Sequence, residues 1–101
     1  MYKSKSESKQ TNELFEAILS LETTEDCYRF FDDICTISEL KSITQRFHVA
    51  KLLKQGETFN TIAEQTGASS ATISRVNRCL LYGADGYQIV LNRLGNKKRI
   101  K

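Results

Sequence analysis

Between residues 59 and 78, FNTIAEQTGASSATISRVNR, the chain gathers Asn60, Ser69, Ser70, Ala71, Thr72, Ser74, Arg75 and Arg78. These are short hydroxyl and amide groups, one methyl and two guanidinium groups, with no base beside any nucleophile. The chemistry such a set can do is recognition rather than bond making. Hydroxyls and helix-terminal amides hold phosphate oxygens, a guanidinium matches phosphate or the edge of guanine, and a methyl group meets the methyl of thymine. The set is therefore read as a candidate surface for double-stranded DNA.

Such groups must be carried on rigid elements, and the spacing behind them supplies two short helices joined by a tight bend, a helix-turn-helix. Ala63 is small where the second helix has to cross closely, and Gly67, four residues on, can take the positive φ of the bend. Ile62, Ala68, Ile73 and Val76 fill the wedge between the helices. Ser69 is a good N-cap for the second helix, which leaves Ser70, Ala71, Ser74, Arg75 and Arg78 facing outward. Ordinary core helices can also carry Gly in a turn and Ile at helical spacing. The outward face, free of large apolar residues and rich in Ser, Thr and Arg, favours the DNA-reading interpretation.

The rest of the chemistry is thin. His48, the single histidine, lies between Phe47 and Val49 and has no sequence-evident Ser or Cys partner. Asp32 and Asp33 are adjacent, so on a helix they diverge by about 100° and make no carboxylate dyad. Gly-rich phosphate loops and zinc-peptidase motifs are missing, and an enzyme is not expected. Cys27, Cys35 and Cys79 form no C-x-x-C pair, so reduced, partly buried thiols are expected, with no disulfide or metal site.

With 101 residues, of which 40% are hydrophobic, the chain suits one domain with a small core. No proline and five glycines favour an all-α protein. No apolar run approaches the roughly 20 residues of a membrane span, and MYKSKSESKQ resembles no secretory signal, so a cytoplasmic protein is expected. Charge is uneven: residues 1–10 carry +2, residues 11–40 carry −7 and residues 41–101 carry +8. The basic half contains the helix-turn-helix, as a DNA contact requires.

Residues 1–11 read as a flexible basic tail. From Asn12, Leu14, Phe15, Ile18, Leu19 and Leu21 form the stripe of a first helix, and Thr23 or Thr24 caps a second that offers Cys27, Phe30, Phe31 and Ile34 to a core. Thr36 and Glu39 make a capping box for a long third helix reaching about Gln55, with Leu40, Ile43, Phe47, Ala50 and Leu53 or Leu52 inward. Gly83 ends the recognition helix. Asp85 is expected to cap a last helix bearing Tyr87, Val90, Leu91 and Leu94, with Gly95 stopping it ahead of a basic tail, residues 95–101. The first three helices carry more apolar side chains than the short DNA-binding pair can cover, so a second subunit is expected over them.

The segments ISELKSITQRFHVAKLLKQGE and TGASSATISRVNR resemble the tryptophan repressor superfamily, more closely its YerC/YecD-like branch. The resemblance spans about Asn12 to Leu94 and is most specific at ATISR, Ala71 to Arg75. It implies a six-helix tryptophan-repressor-like fold, an intertwined homodimer with helices of both chains in one core, and two recognition helices meeting successive major grooves. In tryptophan-binding members two arginines sandwich the indole and a threonine lies near it; by alignment these are Arg46, Arg75 and Thr72. Arg46 and Arg75 read more readily as surface charges than as ligand-binding groups, with Arg75 on DNA. Val76 stands where the tryptophan binders have glycine, and Cys79 where they have serine. The valine side chain occupies the space the indole and amino group would approach, which speaks against tryptophan as ligand and leaves no cofactor assigned.

Together these readings describe a sequence-specific, DNA-binding transcription regulator, of repressor type, acting as a homodimer on a near-palindromic operator, with a small-molecule effector unidentified. The alternative is a helical dimeric protein-interaction module without DNA binding, whose second helix would show an apolar or acidic outer face.

Overall fold

The computed structural model describes the backbone of residues 2–100 and the side chains of residues 2–95. Six helices and no strand occur among the described residues: α1 (Lys9–Leu19), α2 (Thr24–Ile34), α3 (Ile37–Lys54), α4 (Phe59–Thr66), α5 (Ser70–Tyr82) and α6 (Gly86–Ile100). None of them is long and apolar enough to cross a membrane. The chain divides into two compact units, Met1–Ile37 and Ser38–Lys101.

The first unit holds α1 and α2. Ser8 caps α1, its Oγ accepting the Thr11 amide at 3.0 Å, so the helix starts at Lys9 rather than at Asn12 and the irregular N-terminal stretch is shorter than expected. Thr23 caps α2 by accepting the Asp26 amide at 3.0 Å, and Glu25 and Asp26 oppose the dipole in its first turn. Neither helix buries a residue completely. Phe30 and Phe31 are half-buried and meet edge to face, ring centroids 5.5 Å apart, an arrangement favoured by the ring quadrupoles. Phe15, Leu19, Tyr28 and Ile34, by contrast, are exposed.

The second unit has a true interior. Val49, Ala50 and Leu52 of α3 close on Ile62, Ala68, Ile73 and Val76, with Leu53, Ala63, Tyr87 and Leu91 packed around them. The buried side of α3 is thus its C-terminal end. Of the stripe expected from spacing, Ala50 and Leu52 are buried and Leu53 is half-buried, whereas Leu40 and Phe47 are only half-buried and Ile43 is exposed. Apolar residues lie on two sides of this helix, and the buried Val49, three residues before Leu52, is the one that the expected stripe leaves out. At its end the Glu57 amide reaches the Leu52 carbonyl (3.1 Å) and the Gly56 amide the Leu53 carbonyl (3.0 Å), with Gly56 at φ 87°. This is the pair of bonds of a Schellman cap.

Two expectations for the last helix fail. Asp85 adopts φ 66°, outside the extended range from which a cap side chain reaches the first amides; it contributes its carbonyl, which accepts the Ile89 amide at 2.9 Å. Gly95 does not stop α6, which continues to Ile100, because one glycine costs only about 1 kcal/mol in a helix and good helix formers follow it. The side chains of residues 96–101, and with them the basic tail expected there, lie outside the described residues. Cys27 and Cys79 are exposed rather than partly buried, Cys35 is intermediate, and all three are free.

Ile62 is 0% exposed at the centre of this core. Ile62→Ala is expected to lower unfolding free energy by about 2–5 kcal/mol through lost burial and the cavity left behind, read as a lower urea midpoint at unchanged m-value; a loss below about 1 kcal/mol would place the core elsewhere.

Candidate nucleic-acid interface

The two helices of the expected motif are α4 and α5, and local bonds explain where each begins. Thr58 caps α4, accepting the Thr61 amide at 3.1 Å. Ser69 caps α5: its Oγ accepts the Thr72 amide at 3.1 Å and its hydroxyl donates to Thr72 Oγ1 at 3.1 Å. Between the helices Gly67 sits at φ 72°, in the left-handed region, and its amide donates to the Ala63 carbonyl at 2.9 Å. The bend is the one that the Gly67 spacing predicts.

Two residues that sequence reasoning passed over hold this bend from either side. The Thr66 hydroxyl donates to the Ile62 carbonyl at 2.7 Å and accepts the Ala68 amide at 3.1 Å. Gln45, on α3, donates from Nε2 to the Thr66 carbonyl at 3.2 Å. A Thr at a helix end and a Gln on a helix with several polar positions carry no signal by themselves; only the fold brings position 45 to position 66.

The faces of α5 are sharply divided. Ile73 and Val76 are each 1% exposed and Leu80 is also buried, while Ser69, Ser70, Ala71, Ser74, Arg75 and Arg78 are exposed. Thr72 is half-buried, with its amide and hydroxyl engaged by Ser69. Asn60 is exposed in the first turn of α4. Arg46 is exposed on α3, next to Gln45. Helix α5 contains no Asp or Glu, and no carboxylate lies within ion-pair distance of Arg75 or Arg78 among the described residues. From Ser70 to Arg78 the outer face is therefore polar, basic and open, while Leu81 and Tyr82 in the last turn are exposed apolar groups, and an anion approaching the start of α5 also meets unsatisfied amides and the positive end of the helix dipole.

At its far end α5 is tied down again. Gln88 of α6 donates to the Leu80 carbonyl at 3.2 Å and accepts a hydrogen bond from Lys54 of α3. One side chain thereby links the last turns of α3 and α5 to α6.

The family model for the Trp repressor protein matches residues 9–95. The chain belongs to the Trp repressor family. Within this family of helical DNA-binding regulators it lies on the YerC-like branch: it is 55% identical over 86 residues to the uncharacterized protein YerC of Bacillus subtilis strain 168, covering 85% of this chain and 83% of that one. Two solved structures share the fold of this Trp repressor family member. A TrpR-like protein from Eubacterium eligens superposes with a TM-score of 0.85 at 56% identity, covering 87% of this chain and 91% of that one. A candidate Trp repressor from Staphylococcus aureus gives 0.85 at 52% identity, covering 88% and 89%. The match at the fold level and the regulator class both follow; the regulators of this family are not enzymes.

An added Cβ at Gly67 would meet nothing within 4 Å, so substitution there tests backbone conformation alone. Gly67→Ala is expected to cost about 1–2 kcal/mol for the left-handed residue and Gly67→Asn clearly less, by equilibrium denaturation; equal stability of the alanine variant and the parent would contradict the left-handed bend.

Proposed function

We propose that two copies of this chain form a sequence-specific DNA-binding transcription regulator, of repressor type, that sets one α5 helix of each copy against successive major-groove faces of a near-palindromic operator. The observation that carries this reading is the division of α5: a rear face sealed by Ile73, Val76 and Leu80, and a front of Ser, Ala and Arg with no acidic residue. A single recognition helix reads only a few base pairs, so useful specificity calls for two, about 34 Å apart. The apolar surface supports the pairing. Ile37 is 78% exposed and Tyr82 84%, and Phe15, Leu19, Tyr28 and Leu81 are exposed as well, large apolar side chains that a second copy would cover.

In the docked state Ser69 and the first amides of α5 hold phosphate. Ser70, Ala71, Thr72, Ser74 and Arg75 lie nearest base edges, Arg78 and Asn60 nearer the backbone. Arg75 is assigned to a guanine, where a bidentate contact discriminates by about 1–3 kcal/mol. Selection from random duplexes is expected to enrich a paired motif whose binding weakens steeply with salt, and Arg75→Ala to lower affinity for it by about 1–3 kcal/mol while relaxing one position of the motif. No enrichment, with binding indifferent to salt, would return the chain to the class of protein-interaction modules.

An effector, if the regulator takes one, is assigned to Arg46, Thr72 and Arg75, and tryptophan does not suit the position. The Val76 side chain is buried in the interhelical wedge at the place where tryptophan-binding members carry glycine. Saturating tryptophan is accordingly expected to leave the melting temperature unchanged, whereas a ligand at 100 times its Kd adds about 2.7 kcal/mol of stability; a reproducible upward shift in a thermal melt with tryptophan would reverse this assignment.

A further inference from the structure

We infer that Gln45, which lies outside the helix-turn-helix, is a positioning residue for DNA recognition: its amide fixes the bend that aims α5. The inference rests on the regulator reading above and extends it to a residue outside α4 and α5. The Thr66 carbonyl belongs to the last turn of α4, where helix geometry leaves carbonyls without an intrahelical partner. Gln45 supplies that partner from α3 at 3.2 Å, with both residues half-buried. The same threonine uses its hydroxyl to hold the Ile62 carbonyl behind the bend and the Ala68 amide ahead of it. Ala68 and Ser69 lead directly into α5, and Ser69 is its cap. A continuous chain of hydrogen bonds therefore runs from α3 through Thr66 to the segment that launches the recognition helix.

The apolar wedge alone fixes how deep α5 sits, because burial is not directional. Hydrogen bonds are directional, and among the described residues the Gln45 to Thr66 bond refers the bend to the long helix α3. Without it the wedge stays filled, but the start of α5 is free to swing by small angles. Base contacts depend on placement within a fraction of an ångström, so that freedom weakens recognition before it weakens the fold.

Two near-isosteric variants isolate the donor: Gln45→Glu, which keeps the shape and cannot donate when ionised, and Gln45→Met, which keeps the length without charge. Each is titrated against a labelled duplex carrying the sequence recovered by selection, at a temperature where circular dichroism shows it folded, alongside amide hydrogen exchange of residues 68–72. The expected result is an affinity loss of about tenfold in both, which corresponds to about 1.4 kcal/mol, with an unchanged salt slope and faster exchange at the start of α5. Thr66→Val, which removes the hydroxyl from the same chain of bonds, is expected to act in the same direction and serves if a Gln45 variant does not fold. Parent-like affinity in the folded variants, or a loss that only tracks the unfolded fraction, would overturn the positioning role. Failure of the parent chain to bind any selected duplex would instead strike the regulator reading itself.

Discussion

Everything at the proposed interface depends on one side of α5 being committed to the interior. Ile73 and Val76 are almost wholly removed from water against Val49, Ala50 and Ile62, and each such side chain contributes roughly 1.5–3 kcal/mol by burial. A helix is stiff, so fixing one stripe fixes the direction of all the others. Ile73, Val76 and Leu80, three and four residues apart, make one buried stripe, so the Ser70, Ser74, Arg75 and Arg78 side chains, on other sides of the helix, point outward. Small polar groups on a rigid rod, with a basic character uninterrupted by acid, are what the reading of a charged duplex calls for.

The interior that does this is small, and polar tethers supplement it. Gly67 turns the chain, Thr66 ties the turn to both of its helices, Gln45 ties it to α3, and Gln88 joins the other end of α5 to α3 and α6. Each such bond adds only about 0.5–1.5 kcal/mol net, yet each excludes orientations that the apolar contacts tolerate. The first unit shows the opposite balance. Its helices are well capped, but their apolar side chains are largely open to solvent.

Much of this was legible in the residues. The bend at Gly67, the Ser69 cap, the wedge of Ile62, Ala68, Ile73 and Val76, and the exposure of Ser70, Ala71, Ser74, Arg75 and Arg78 all follow from local rules of turn geometry, capping and period. Six helices and the family follow from the same segments. The misreadings share a cause. On α3 the stripe from Leu40 to Ala50 is buried only at its C-terminal end, where Val49 and Leu52 join it, and periodicity cannot say how much of a stripe a single chain will bury. Gly95 and Asp85 have the residue types of a helix stop and a helix cap, whereas helix continuity and a left-handed φ assign them other roles.

By itself, then, the sequence determined the helices, the turn and the chemistry of the outward face, because these depend on interactions within a few residues along the chain. Tertiary structure alone decided how much of α3 is interior, that Gln45 meets Thr66, and that Gln88 joins Leu80 and Lys54. Those contacts unite residues from 8 to 34 positions apart. A glutamine suits solvent, a helix end or another chain equally well, and only packing chooses among them.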